Sequence, residues 1–182
     1  FLRPGDPRRK IVYEVDPIRD GRGFTTRRVV AKQNGRAIFN TSVSFHIDEE
    51  GPSHQFSAPQ APDPESLPSD HDDWVRLAEL YPERFDKPTS RAIERRSVHR
   101  RDHLNPAQDI REPFNGVWMR AEGKLGDDPI EHQTLLAYMS DMTLLGVALN
   151  PHPITTRSEH LMFASLDHGL WFHQPFRAAE WL

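Results

Sequence analysis

The chain has 182 residues, 36% of them hydrophobic, with a mean hydropathy of −0.70, which suits one ordinary domain or two small ones. A formal net charge of −4 and a pI near 6.2 argue against a nucleic-acid binder, and the lack of cysteine excludes disulfides, thiolate metal sites and cysteine nucleophiles. No window is long and apolar enough to span a membrane and no secretory signal opens the chain, so a cytoplasmic location is expected.

In chain order, Phe1-Leu2-Arg3-Pro4-Gly5-Asp6 reads as the end of an element whose beginning lies upstream. Lys10 to Asp16 alternates with a period of two and is expected to be a strand. Phe24 to Gln33 and Arg36 to Ile47 flank Asn34-Gly35, the strongest short hairpin signal, so three strands in an antiparallel meander are expected. Three strands cannot bury both faces of a sheet, and another element has to cover them. Residues 1–47 hold ten Lys+Arg against four Asp+Glu, a basic stretch that suits solvated strand faces or an anionic, nucleotide-bearing carrier.

Residues 48–73 hold eight acids and no Lys or Arg, and are rich in proline. They read as a linker or long surface excursion, so the expected division is a first module over 1–49, a linker over 50–90 and a second module over 91–182. Trp74 to Leu80 suggests a short helix, Arg91 to His99 and Phe114 to Gly123 suggest strands, and His160 to Phe172 reads as one long strand or two.

Between them lies one continuous helical pattern, Glu131 to Leu149, started by Asp128-Pro129 and stopped by Asn150-Pro151. On that helix Asp141 has Ala137, Tyr138, Leu144 and Leu145 for neighbours, all on the apolar face. A carboxylate there carries a desolvation cost of several kcal/mol, roughly, unless it is paired. Two readings stay open: a functional carboxylate, or one at the edge of the face bonded to backbone or water.

There is no G-x-S-x-G elbow, no P-loop and no H-E-x-x-H, and Gly21-Arg22-Gly23 lacks the third glycine of a dinucleotide fingerprint. Asp167, His168 and His173 are conceivable metal ligands, but adjacent strand residues face opposite sides, so no metal and no cofactor is expected. If the segment carrying Ser165 packs on the helix, Asp141 and Ser165 can share one water, Asp141 as general base and Ser165 orienting it. The plainer reading of Ser165 is a small residue at a tight helix–sheet crossing.

The strings HQTLLAYMSDMTLL (132–145) and ASLDHGLWFHQPFRAAEWL (164–182) closely resemble the C-terminal half of the type II acyl-CoA thioesterases. FLRPGD (1–6), IRDGRGFTTRRVVAKQNGRAIF (18–39) and SFHIDEEGPSHQ (44–55) resemble that family's first module. The resemblance implies an α+β double hotdog, two antiparallel sheets each wrapped around a long helix. It implies hydrolysis of fatty acyl-CoA, without cofactor, by a water held between an Asp matching Asp141, a Ser or Thr matching Ser165, and a Gln expected beyond Leu182. The first module's helix is likewise expected upstream of Phe1. With both ends incomplete, residues 1–182 alone are expected to be marginally stable, prone to self-association and silent in catalysis. The alternatives are an inactive remnant or acyl-thioester binding module, and an enoyl-thioester hydratase using a pair such as Asp167 and His168. A homo-oligomer is among the expectations, and a peroxisomal location stays open.

Overall fold

The computed structural model describes residues 1–88 and 92–182, which fall into two compact units. The first comprises Phe1–Ser57 together with Ser165–Asp167, and the second comprises Ala58–Ala164 together with His168–Leu182.

The first unit is a three-stranded antiparallel sheet in the order β1 (Val12–Asp20), β2 (Phe24–Gln33), β3 (Arg36–His46). Asn34 and Gly35 turn β2 into β3 with φ of 50° and 74°, the left-handed pair a two-residue hairpin requires, so Gln33 lies opposite Arg36. The β1–β2 register slips between Asp16 and Arg19, around Pro17, which has no N–H to give the ladder. Gln33 is buried: its side-chain oxygen accepts from the Asp6 N–H at 2.8 Å, and its amide donates to the carbonyls of Asp6 and Arg9. That amide fastens the opening segment to the sheet, while Leu2 and Arg3 donate to the Ile38 carbonyl. The faces stay largely wet. Every residue of β1 is exposed, and among the described residues this unit contains no helix.

The second unit runs α1 (Asp70–Leu80), β4 (Ile93–Ser97), β5 (Val117–Ala121), α2 (Pro129–Ser140) and α3 (Leu144–Val147). The expected strand from Arg91 starts outside the described residues; β4 covers its middle. α1 begins earlier than Trp74 because the acids Asp70, Asp72 and Asp73 of its first turn suit the positive end of the helix dipole. The Asp70 carboxylate accepts from both the backbone N–H and the hydroxyl of Ser97, which ties this helix to β4. β4 and β5 pair antiparallel from Ile93 opposite Ala121 to Ser97 opposite Val117. Phe85, Ala78, Ala121, Ala178 and Met139 form the buried apolar core, with Trp74 meeting Phe85 edge-on at 5.4 Å.

Glu94 is a charged member of that interior at 2% exposure. One carboxylate oxygen accepts from Arg96 at 2.8 Å and the other from Arg120 at 2.7 Å. Both guanidinium groups stack on the Trp181 ring, whose N–H donates to Glu65. Burial acts first and raises the Glu94 pKa, but the hydrogen bonds and charges of Arg96 and Arg120 outweigh it and hold the carboxyl below its ordinary range. Arg96 also donates to the carbonyls of Pro64 and Leu67, and Trp118 to that of Pro62, so the later part of the proline-rich stretch is seated on β4 and β5.

Two expectations are corrected. The helix over 131–149 is not continuous: α2 ends at Ser140, and α3 is a separate turn. Ser140 bonds back to the Ala137 carbonyl, the Met142 N–H tightens onto Met139, and Thr143 and Gly146 are weak helix formers, so the ladder is interrupted there. The strand or strands expected over 160–172 do not form either. The free edge of β5 is taken by the chain's last residues, since Met119 and Leu182 exchange backbone hydrogen bonds and the Ala121 N–H donates to Ala178. His160, at φ 62°, bends the chain where the strand was expected to start.

Candidate active site

α2 owes its start to Asp128, whose carboxylate accepts from the Ile130 N–H at 2.9 Å, followed by Pro129 with its preset φ. His132 and Met139, two turns apart, are its buried residues. The His132 ring nitrogen Nδ1 accepts from the Ala178 N–H at 3.2 Å, which docks the helix against the end of the chain.

Asp141 is the residue that caps α2, with φ −86° and ψ −12°. Its side chain is 45% exposed, which corrects the reading of a carboxylate on the buried stripe. The stripe is carried by His132 and Met139, and the helix stops before Asp141 can share it. The carboxylate faces a histidine. His168 Nδ1 lies 3.5 Å from Asp141 Oδ1, and the other ring nitrogen, Nε2, lies 3.0 Å from the Ser140 hydroxyl oxygen. The imidazole is therefore held by two neighbouring residues of one helix end, and only 20% of its side chain is exposed. The sequence pattern sets His168 beside Asp167 and gives no direct sign of its contact with Ser140. The available signal was the Ser-Asp pair at a helix end.

Ser165 is half-buried and lies in the short segment Ser165–Asp167 of the first unit, in irregular backbone rather than on a strand. The next residue, Leu166, accepts through its carbonyl from the Phe1 nitrogen at 2.7 Å. Asp167 belongs to the first unit, and His168 and His173 to the second.

A separate polar cluster surrounds Arg101, which donates to the Asn150 side chain and to the carbonyls of His152 and Ile154, pinning the loop after α3. Next to it His103 meets the Trp74 ring edge-on at 5.3 Å. Burial, with the nearby charges of Arg101 and Arg157, lowers its pKa. This cluster is read as structural.

Against families of known proteins, residues 1–46 match the acyl-CoA thioesterase N-terminal domain and residues 89–182 match acyl-CoA thioesterase. The chain belongs to the acyl-CoA thioesterase family. It is 37% identical to acyl-coenzyme A thioesterase 8 of Mus musculus, over all of this chain and 59% of that protein. It is 32% identical to acyl-CoA thioesterase 2 of Haemophilus influenzae, over all of this chain and 63% of that protein. Among solved structures, the acyl-CoA thioesterase II TesB2 of Mycobacterium marinum is 41% identical with a TM-score of 0.75, matching all of this chain and 62% of its own. A hot dog fold protein of Alicyclobacillus acidocaldarius, at 19% identity and TM-score 0.53 over 78% of this chain and 46% of its own, shares the fold alone. The chain spans about three fifths of the length of the curated relatives it matches. The α+β hotdog class expected from the resemblance holds. Among the described residues, no helix is long and apolar enough to cross a membrane.

Proposed function

We propose that this protein hydrolyses fatty acyl-CoA thioesters to free fatty acid and CoA, with Asp141 as general base and Ser165 orienting the water. The observation that carries this reading is the family match over both segments, 1–46 and 89–182. The chemistry fits the residues at hand. A thioester carbonyl is electrophilic enough for a positioned water, so no acyl-enzyme is needed. Asp141 takes one proton as the water oxygen bonds to the carbonyl carbon. The tetrahedral intermediate then expels CoA as the C–S bond breaks, and the same proton returns from Asp141 to sulfur. A Gln beyond Leu182 would complete the water's contacts. Within this reading, 1–49 and 91–182 are portions of two hotdog modules joined by 50–90, the location is cytoplasmic, and acyl-CoA is the partner that matters.

Asp141→Asn keeps size and polarity but removes the base. In a full-length version, turnover of palmitoyl-CoA should fall by about 10²-fold or more, with the melting temperature nearly unchanged because the side chain is half in solvent. Activity within a few-fold of the parent would remove Asp141 from the mechanism. Ser165→Thr should stay active and Ser165→Ala should lose most turnover, whereas an acyl group found on Ser165 by mass spectrometry would replace the water mechanism with a covalent one.

A second reading, hydration of an enoyl thioester, draws on the Asp141–His168 contact at 3.5 Å. It predicts loss of the conjugated enoyl absorbance without release of CoA thiol. Thiol release with saturated acyl-CoA separates the two.

A further inference from the structure

We propose that His168 is a positioning residue for Asp141, holding one carboxylate oxygen through Nδ1–H while Ser140 adjusts to whatever proton the other ring nitrogen carries. This rests on the proposed role of Asp141.

The argument is one of counting hydrogens. Ser140 has a single hydroxyl hydrogen and two oxygen or nitrogen neighbours within reach, the Ala137 carbonyl at 2.9 Å and His168 Nε2 at 3.0 Å. With a neutral ring, one tautomer serves both contacts. Ser140 gives its hydrogen to Nε2, and Nδ1 carries the ring hydrogen towards Asp141. The opposite tautomer would point a bare Nδ1 lone pair at a carboxylate oxygen, which is repulsive. With a protonated ring, Ser140 turns its hydrogen back to the Ala137 carbonyl and accepts from Nε2–H, and Nδ1–H again faces Asp141. In both states the carboxylate meets a donor. Ser140 can make this exchange because it sits in the last turn of α2, with a backbone carbonyl as its alternative acceptor.

Asp141 has reason to need such a partner. It caps a helix end rather than lying in a packed interior, and 45% of its side chain is exposed, so packing alone does not set its rotamer. A general base has to present one oxygen along the line of the proton it takes. His168 Nδ1 faces Oδ1, the oxygen through which the ring would set the orientation of the carboxylate. At 3.5 Å the contact is longer than a good hydrogen bond, as catalytic contacts often are before substrate binds. The ring itself is anchored through Ser140 to the backbone of α2, so it is a fixed reference point.

Asn and Gln discriminate the two ring nitrogens, since Asn places an N–H where Nδ1 was and Gln places one where Nε2 was. In a full-length version with palmitoyl-CoA, His168→Ala should lower kcat by about 10- to 100-fold and leave KM within about twofold, the cost of a misaligned base. His168→Asn should recover to within about fivefold of the parent, and His168→Gln should stay as slow as the alanine variant. Because His168 acts through Asp141, Asp141→Asn/His168→Ala should be no slower than Asp141→Asn alone. Losses that multiply, rescue by Gln as well as by Asn, or an effect confined to KM would overturn the proposal. So would a Ser140→Ala variant as dead as Asp141→Asn with acyl found on Ser140 in the parent, since Ser140 would then be a nucleophile. If His168→Ala does not melt cooperatively, the Asn and Gln pair carries the test. If Asp141→Asn keeps its activity, the reading of Asp141 as general base fails by itself. The contact is then decided by the His168 Nδ1 nitrogen resonance, which should move on Asp141→Asn and whose constancy would sink the proposal.

Discussion

β1, β2 and β3 run nine, ten and eleven residues and pair along most of their length, while β4 and β5 have five residues each. Yet the long-stranded unit buries little beyond Ala31 and Gln33, and the short-stranded unit holds Phe85, Ala78, Met139 and a buried carboxylate with two arginines. Backbone ladders and buried side chains are thus separable sources of order. The first unit takes its shape from a tight turn and continuous backbone pairing, and leaves Val12, Tyr13 and Val15 in solvent. The second is assembled by contacts between residues far apart in the chain, such as Glu65 with Trp181. A disturbance of long-range side chains should therefore strike one unit, and a disturbance of local backbone the other.

The largest expected effect is at Glu94. Glu94→Ala removes the buried carboxylate and leaves Arg96 and Arg120 only the exposed Glu65 to share, so the loss should approach the roughly 3–5 kcal/mol of a broken buried pair without reaching its upper end. Glu94→Gln keeps an acceptor for one arginine and should cost less. Amide exchange read residue by residue should show lost protection in β4 and β5 and unchanged protection in β2 and β3. Equal loss in both units would mean that they do not differ in the way described. The same pair has an acid limit. The Glu94 pKa is depressed on folding, so its stabilisation is full above the ordinary carboxylate range and is lost as pH falls through the folded value.

How much was legible in the sequence follows the same division. The strand over Lys10 to Asp16 was readable from its period-two alternation, and the hairpin of Phe24 to Gln33 with Arg36 to Ile47 from the φ-positive dipeptide Asn34-Gly35, because both are local signals. The body of α1 over Trp74 to Leu80 and the start of α2 at Asp128-Pro129 were readable, whereas the first turn of α1 was not, because its acids continue the acidic stretch before it. The end of α2 was not, because the apolar pattern continues through Leu144 and Leu145 and hides a stop made by the Ser140 back-bond. Nor was the failure of a strand over 160–172, which depends on residues 178–182 having taken the β5 edge. At the site, Asp141 stood out as a carboxylate amid apolar neighbours, but its partner His168 lies 27 positions away and only folding brings the ring to it.

A smaller effect, aimed at the other unit, comes from Gly35→Val. At φ 74° a β-branched residue pays the left-handed penalty, about 1–2 kcal/mol. Nothing lies within 4 Å of where a Cβ would stand, so the cost is purely conformational rather than steric. Protection should fall at Gln33, Arg36 and their neighbours and stay constant in β4 and β5. Gly35→Asn should recover much of the loss, since Asn tolerates this region. No difference between Val and Asn would show that the turn is not what holds the register.

The smallest effect is a pH dependence confined to the second unit. His103 sits against Trp74 with Arg101 and Arg157 on one side of the charge balance and Asp102 and Asp109 on the other. Burial comes first among the causes that lower its pKa, followed by the two arginines, so the folded state resists taking the proton. The sign follows from linkage. Above the ordinary value of 6.5 both folded and unfolded chains hold the ring neutral, and nothing changes. As pH falls below it the unfolded chain binds a proton that the folded chain refuses, so stability drops until the folded value is passed. This window lies above the ordinary carboxylate range, and Glu94 is held below that range, so the two contributions can be read apart. Lowering pH from about 7 to about 5.5 should weaken protection in α1, which carries Trp74, and His103→Phe should flatten that slope while keeping the ring contact. A slope that survives in His103→Phe would assign the effect to another histidine of the unit, and an equal slope in β2 and β3 would assign it to the chain as a whole.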